Sequence, residues 1–452
     1  MGRMSLRALA AVRLGALAVL VLATPTFADG TDLLTITRDA LVNDPTYSAA
    51  RFAQLAVIEA VPQARANLLP NLSASVSEQA NRYDFRSTDQ ALLESFEKTF
   101  NSWGPALNFS VPLYSAPLWE GLTQAKLSVK QSEAQLAQAR TDLMVRVAQA
   151  YFDVLAAQDA LTALRENKKA VSEQLAQAKR EFEVGTKTIV DTHEAKARYD
   201  QIDAQEQVAK GDLAVKQSAL RAIIGHDAGE LQTLRDPVQL EPPRPNDVDT
   251  WAHNAEDANY SVVAARAASE IARYQTKRAH DAYLPTVNVT GGITYQRSTG
   301  NIYIPVGNNT TASSLGIQLT VPVFTGGAIQ SQVREALARE ERAEQDLELA
   351  RRTAGQAARQ AYTGVDYGLA QVQALESAEM SAKTQLDSTR LGYQVGVRIN
   401  LDVLNANTQL FNTQRDLKKA RYDFLLSGLK LKAAAGDLRD EDIQVVNALL
   451  QK

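Results

Sequence analysis

Side chains able to do chemistry are few in this sequence and scattered. Its four histidines, His193, His226, His253 and His280, share no metal-ligand spacing, and Asp191-Thr-His193-Glu194 does not reproduce the His-Glu-x-x-His zinc pattern. His193 reads as a solvent-facing helix residue. There is no Gly-rich phosphate loop and no Gly-x-Ser-x-Gly elbow. The absence of cysteine removes disulfide frameworks, thiolate metal sites and thiol nucleophiles together. Four methionines and sparse histidines leave no thioether or imidazole path for a metal cargo. With 48 Lys plus Arg against 52 Asp plus Glu, the chain lacks the basic footprint of a nucleic-acid binder. The sequence therefore predicts no enzyme, no catalytic residue, no cofactor and no metal site.

Function must then lie in what the elements build. Arg3, Arg7 and Arg13 precede a short apolar run, Leu14 to Ala23, followed by Pro25 and small residues up to Ala28. That is the form of a secretory signal, so 1–28 is expected to be cleaved and the mature protein to reach the periplasm. Loss of the three arginines takes the formal net charge from −4 to −7. No later stretch reaches the roughly 18 apolar residues of a transmembrane helix, which leaves a β-barrel as the way into a membrane.

Prolines are missing from Leu118 to Asp236 and from Val323 onward, and these intervals are rich in Ala, Gln, Leu, Glu, Lys and Arg. From Leu122 an apolar residue recurs every seventh position through Val129, Leu136, Leu143, Ala150, Ala157, Leu164, Val171 and Ala178. This is a helix packed lengthwise on others, about 100 Å long at 1.5 Å per residue. Long helices are predicted at about 118–183, 189–224, 328–391 and 399–435.

The chain also repeats itself. Phe182-Glu-Val-Gly185, Gln149-Ala-Tyr151 and Ala222-Ile-Ile-Gly225 return as Tyr393-Gln-Val-Gly396, Gln360-Ala-Tyr362 and Ala433-Ala-Ala-Gly436, each 211 residues on. Repeats are assigned to 29–225 and 251–436, joined by a linker at 226–250 that holds the non-helical Pro237 to Pro245 piece, and a tail follows at 437–452. Each repeat holds two segments of period two. Val287, Val289, Ile293 and Tyr295 alternate with Asn288, Thr290 and Thr294, and Leu315, Ile317 and Leu319 alternate with Gly316, Gln318 and Thr320. Strands are expected at about 71–83, 101–113, 286–296 and 313–323, with Asp84–Phe100 and Arg297–Ala312 as polar loops. Alternating segments of about ten residues are the signature of membrane β-strands. Four strands close no barrel, so several copies must contribute to one.

Helix, strand pair, long helix, Val-Gly turn and returning helix, in duplicate, resemble the TolC family of outer-membrane channel tunnels. The strand-to-helix signature stands as Val321-Pro-Val-Phe-Thr-Gly-Gly327, with a degenerate copy at Val111-Pro-Leu-Tyr-Ser-Ala. The tip signatures run from Phe182 to Asp191 and from Tyr393 to Asp402. The resemblance implies a mainly α protein with a membrane β-barrel: a homotrimer with a 12-stranded barrel in the outer membrane and a 12-helix tunnel crossing the periplasm. It implies a passive exit duct for drugs and other small molecules, or for type I secreted proteins, joined through a periplasmic adaptor to an inner-membrane pump of RND, ABC or MFS type. It places adaptor docking at Val184, Gly185, Val395 and Gly396, and a gate latch at Asp191, Tyr393 and Arg398. It sets a lumen constriction at Asp402 and Asn405, where the family carries two aspartates. Asn405 halves that ring to three carboxylates, which weakens cation attraction. A secreted coiled-coil scaffold or adhesin is the rival reading, and it leaves the four strands and the duplicated tips without a role.

Overall fold

The computed structural model describes residues 30–88, 95–300 and 306–451. The expected signal segment lies outside them. Three short helices open the chain, α1 (Leu33–Asn43), α2 (Pro45–Ile58) and α3 (Ala60–Ala66), followed by strands β1 (Asn71–Phe85) and β2 (Phe96–Tyr114). Then come α4 (Ala116–Glu183) and α5 (Ile189–Ile224), the equatorial helices α6 (Val248–Ala258) and α7 (Tyr260–His280), and strands β3 (Thr286–Ser298) and β4 (Asn308–Thr320). Helices α8 (Ala328–Gln394), α9 (Asn400–Ala434) and α10 (Asp440–Asn447) complete it.

Local chemistry sets the helix ends. Pro117 stands in the first turn of α4, where its missing N–H costs nothing. The helix then runs 68 residues to Gly185, whose φ of 76° reverses the chain. Helix α8 repeats this over 67 residues and ends at Gly396, φ 82°. Side chains other than glycine resist this left-handed region. Asp191 caps α5 by accepting from the Thr188 backbone N–H and hydroxyl.

The strands form one antiparallel sheet in the order β1-β2-β3-β4, with one partner each for β1 and β4. One face is apolar and bare: Leu72 and Val76 on β1, Leu107 and Leu113 on β2, Ile293 on β3, and Leu315, Ile317 and Leu319 on β4. From Leu113 to Trp103 this band rises about 25 Å at a barrel-like tilt, the height of an outer-membrane hydrocarbon layer. Trp103 and Tyr295 top it with ring centroids 6.2 Å apart, as an interfacial aromatic girdle does. The opposite face carries Ser73, Ser75, Ser77, Ser110, Asn288, Thr290, Thr294 and Gln318.

Strand ends differ from those expected. β4 runs 308–320 rather than 313–323, because Thr286 pairs with Thr320 and Val321 to Val323 have no strand residue opposite. Its early part, Asn308 to Ala312, is polar on both faces and gave no hydrophobic alternation. The polar links are strand over much of their described length: Asp84 and Phe85 pair with Glu97 and Phe96, and Arg297 and Ser298 with Asn309 and Asn308. The linker carries no helix or strand around its prolines, and its last three residues already belong to α6.

The largest hydrophobic cluster lies halfway along the long helices. Leu143, Val147, Tyr151 and Leu155 of α4 meet Leu33 and Ile36 of α1, Trp251, Leu426 and Leu431 of α9, Ile443 and Leu450. The linker and the tail close around it. The Tyr151 hydroxyl donates to the Gln232 carbonyl at 2.8 Å, and the Gln451 N–H donates to the Thr233 carbonyl at 2.7 Å. Among the described residues no helix is long and apolar enough to cross a membrane.

At Gly436 (φ 74°) a Cβ would stand 2.4 Å from the Ala258 carbonyl oxygen. Gly436→Ala adds this clash to the left-handed penalty of about 1–2 kcal/mol. The expected result is a clearly lower thermal unfolding temperature by circular dichroism, with the helix content of the folded protein unchanged.

Candidate functional site: the hairpin tips and the polar seam above them

The ends of α4 and α8 face away from the strands and present one small pattern twice. Val184, Val395 and Val397 are largely exposed, and a Cβ at Gly185 or Gly396 would touch nothing. The glycines are there for φ alone. After each turn a carbonyl five residues back is satisfied from beyond it: Thr186 N–H donates to Glu181 O, and Val397 N–H to Gly392 O, both at 2.9 Å.

The residues expected to latch are brought close but bonded differently. Tyr393 is only 6% exposed, and its hydroxyl donates to Glu181 Oε2 at 2.6 Å. Within the protomer the tyrosine's carboxylate is thus Glu181, not Asp191. The reason is local, since Asp191 is occupied in capping α5. Burial pushes the Tyr393 phenol up, and the bond to Glu181 adds to it, with Asp191 close enough to contribute. Lys187 Nζ lies over the tyrosine ring, 4.9 Å from its centre, in a cation–π contact. Arg398, in the turn before α9, meets Asp402 Oδ2 in the first turn of that helix at 3.7 Å, its own side chain largely exposed and that of Asp402 partly so.

Asn405 accepts from Arg198 Nη2 of α5 at 2.8 Å. The Asn405 amide thus faces a guanidinium from the first hairpin. Asp402, Asn405 and Arg398 line one polar hollow with Gln385, Ser388 and Gln409.

Sequence reading missed Asn400. It is wholly buried, accepts from Gln174 Nε2 of α4 at 2.7 Å, and donates to the Asp191 carbonyl of α5 at 3.1 Å. One amide on the second hairpin thereby ties both arms of the first. The only signal was an asparagine at the first position of a helix whose neighbours are apolar, and that is a common helix-start choice.

Further along the first hairpin the carboxylate of Glu206 is enclosed by Lys168 Nζ at 2.8 Å, Lys210 Nζ at 2.9 Å and Arg165 Nε at 3.5 Å. Lys168 also bonds Asp203 at 2.5 Å. Hydrogen bonds from Lys168, then Lys210, hold the Glu206 carboxyl at about 2.

A bare sheet with an apolar outer face, two helical hairpins about 100 Å long and matching glycine tips in duplicate make a specific architecture. The outer membrane efflux protein family model matches residues 36–226 and 251–437. The chain belongs to that family. It is 34% identical to outer membrane protein TolC of Vibrio cholerae serotype O1 over 93% of this chain and 94% of the relative. It is 30% identical to the alkaline protease secretion protein AprF of Pseudomonas aeruginosa over 90% of this chain and 85% of that one. Among solved structures, the Campylobacter jejuni CmeC outer membrane channel superposes with a TM-score of 0.78, covering 100% of this chain and 98% of that one at 17% identity. The match to both repeats places this efflux-family protein in the outer membrane, with its helical hairpins extending away from the barrel strands.

The Glu206 cluster gives the efflux protein an acid-side stability signature. A carboxyl held below its ordinary range stabilises fully above the unfolded value near 4.5 and loses that contribution as pH falls toward 2. Glu206→Gln leaves Lys168 and Lys210 facing a neutral amide. Thermal melts from pH 7 to 2 should show the variant less stable at neutral pH and the two proteins converging at the acid end.

Proposed function

We infer that this chain is one protomer of a trimeric exit duct. Three four-stranded sheets join edge to edge into a 12-stranded barrel, and three sets of four long helices form a tunnel through the periplasm. The single observation that carries this reading is the sheet with two unpaired edges and a bare apolar face, built into the same chain as two 100 Å hairpins. Transport is passive: the duct supplies a wetted lumen and a gate, and an inner-membrane pump of RND, ABC or MFS type supplies direction. A periplasmic adaptor docks at the exposed tips, through Val184, Gly185, Val395 and Gly396. Small molecules and type I secreted proteins are its cargo classes, in keeping with relatives named for efflux and for protease secretion.

The gate rests on the polar contacts at the tips. Tyr393 to Glu181 and Asn400 to Asp191 hold the second hairpin against the first, while Arg398 to Asp402 braces the turn of the second hairpin itself. A phenol–carboxylate hydrogen bond of this kind contributes about 1.5–3 kcal/mol. An exposed ion pair adds about 1 kcal/mol or less. Adaptor binding energy readily exceeds both. Asp191 joins the latch through its cap and carbonyl rather than through a bond to Tyr393.

Single-channel recording of the purified trimer in a planar bilayer tests the duct and its gate together. Small, steady wild-type openings should grow several-fold in Tyr393→Phe with Arg398→Ser, and in Glu181→Ala, while the trimer stays intact on native electrophoresis. Absence of conductance from inserted trimers of all three proteins refutes the duct and favours the scaffold.

Multivalent-cation block tests the constriction. Asn405→Asp, which places a carboxylate against Arg198, should raise the sensitivity to block only modestly. Asn405→Asp with Arg198→Gln should raise it several-fold. Unchanged block in both variants means that Asp402 and Asn405 do not line the lumen.

A further inference from the structure

The β1–β2 hairpin is longer than its neighbours. Ser298, the last residue of β3, pairs with Ser102, and β4 starts level with it at Asn308. Thr299 still donates to the Asn101 carbonyl at 2.9 Å, and beyond that bond β1 and β2 continue through five further pairs, from Asn81–Phe100 to Phe85–Phe96, with no residue of β3 or β4 beside them. This overhang is about 17 Å of strand beyond the rest of the sheet. It starts just past the Trp103 and Tyr295 girdle, on the side of the membrane opposite the helices.

The polarity of the two faces inverts there. Register is continuous through the pairing, so alternate residues keep their faces. The face that carries Leu72, Val76 and Leu107 in the membrane carries Arg82, Asp84, Glu97 and Thr99 above it, with Arg82 and Glu97 paired at 2.5 Å. The face that carries serines and Gln79 below turns aromatic: Tyr83, Phe85, Phe96 and Phe100. Phe85 stacks on Phe96 at 5.3 Å and Tyr83 on Phe100 at 6.4 Å, with Lys98 beside the Phe96 ring. Tyr83 and Phe85 remain 47% and 38% exposed.

A two-stranded ribbon is marginal in water without cover for its apolar face. Its outer face, polar and charged, suits the headgroup and solvent side, so lipid is not the cover. Among the described residues, what the trimer sets across the mouth from it is the same face of the other two copies. For 12 strands spaced about 4.8 Å apart and tilted about 40°, the barrel radius is about 12 Å, which is less than the overhang. The hairpins are long enough to meet over the axis.

We propose that the overhanging β1–β2 hairpins of the three protomers lean inward and pack their aromatic faces on one another. They form a collar of Tyr83, Phe85, Phe96 and Phe100 at the outer mouth of the duct, and its partner is a second and third copy of this chain. The proposal rests on the trimeric-barrel reading above. The collar narrows the mouth against solutes from outside, and cargo driven from within parts it, because ring contacts are weak singly and reform without a defined register.

The chain has no cysteine, so one introduced thiol is unique. Full-length trimers carrying Phe85→Cys, or Phe96→Cys should the first fail to assemble, are oxidised in proteoliposomes. They should give disulfide-linked pairs of protomers on a non-reducing gel, since a disulfide needs Cα atoms within about 7 Å. Thr99→Cys, on the opposite face, should stay unlinked and react with an external PEG-maleimide at least tenfold faster. Intact trimers in which Phe85→Cys stays unlinked and labels as fast as Thr99→Cys overturn the collar alone. Monomers on native electrophoresis of the wild type overturn the barrel with it.

Discussion

Two rows of unpaired backbone groups, along β1 and along β4, constrain everything else in this molecule. In hydrocarbon each unmatched N–H or C=O costs several kcal/mol, so a four-stranded sheet with a lipid-facing surface has no stable existence alone. Closure by further copies removes both edges at once. The same closure fixes the number of helical hairpins under the barrel, because every chain that brings four strands brings two hairpins. Membrane and periplasmic parts are therefore not separate designs. The strand deficit sets the stoichiometry, and the stoichiometry sets the tunnel.

Below the equatorial belt the packing changes in kind. The belt holds the large cluster around Tyr151, Trp251 and Leu431, whereas the first hairpin's packing toward the tips comes down to Val171, Leu175, Ala195, Ile202 and Leu404. Specificity there passes to polar groups: Asn400 between two helices, Glu206 among three cations, Tyr393 on Glu181. Each such contact is worth little net against water but much once a partner is removed. An end built in this way has few alternative packings and a small energy gap to opening.

Much of this was legible in the sequence, and the failures are instructive. The heptads from Leu122 to Ala178, the 211-residue offset and the Val-Gly turns placed the long helices and their tips to within a few residues, because period and glycine φ are local properties. Strand ends were less legible. Asn308 to Ala312 are strand because β3 lies opposite, and a polar residue facing a lumen looks like a polar residue in a loop. Aromatic Phe85, Phe96 and Phe100 fell in what read as a loop for the same reason. At the tips Asp191 and Glu181 are both carboxylates near a turn, and only the three-dimensional placement of the cap decides which one Tyr393 meets within the protomer. Nothing local marks Asn400 as buried. Its burial comes from helices more than 200 residues away in the chain.

The position of the belt has a mechanical side. The last fully packed α4 residue of the large cluster is Leu155, and the helix runs on to Glu183, an arm of about 42 Å held only by the smaller contacts toward the tips. With the belt as fulcrum, a tilt of about 0.1 radian carries the tip about 4 Å sideways. That is nearly half a helix-to-helix spacing and longer than any hydrogen bond. Side chains at the fulcrum move by a few tenths of an ångström and stay in their rotamer wells. The duct thus trades a stiff, nearly motionless waist for wide travel at its end, so a modest lateral force applied at the tips works against the weakest contacts at the greatest leverage.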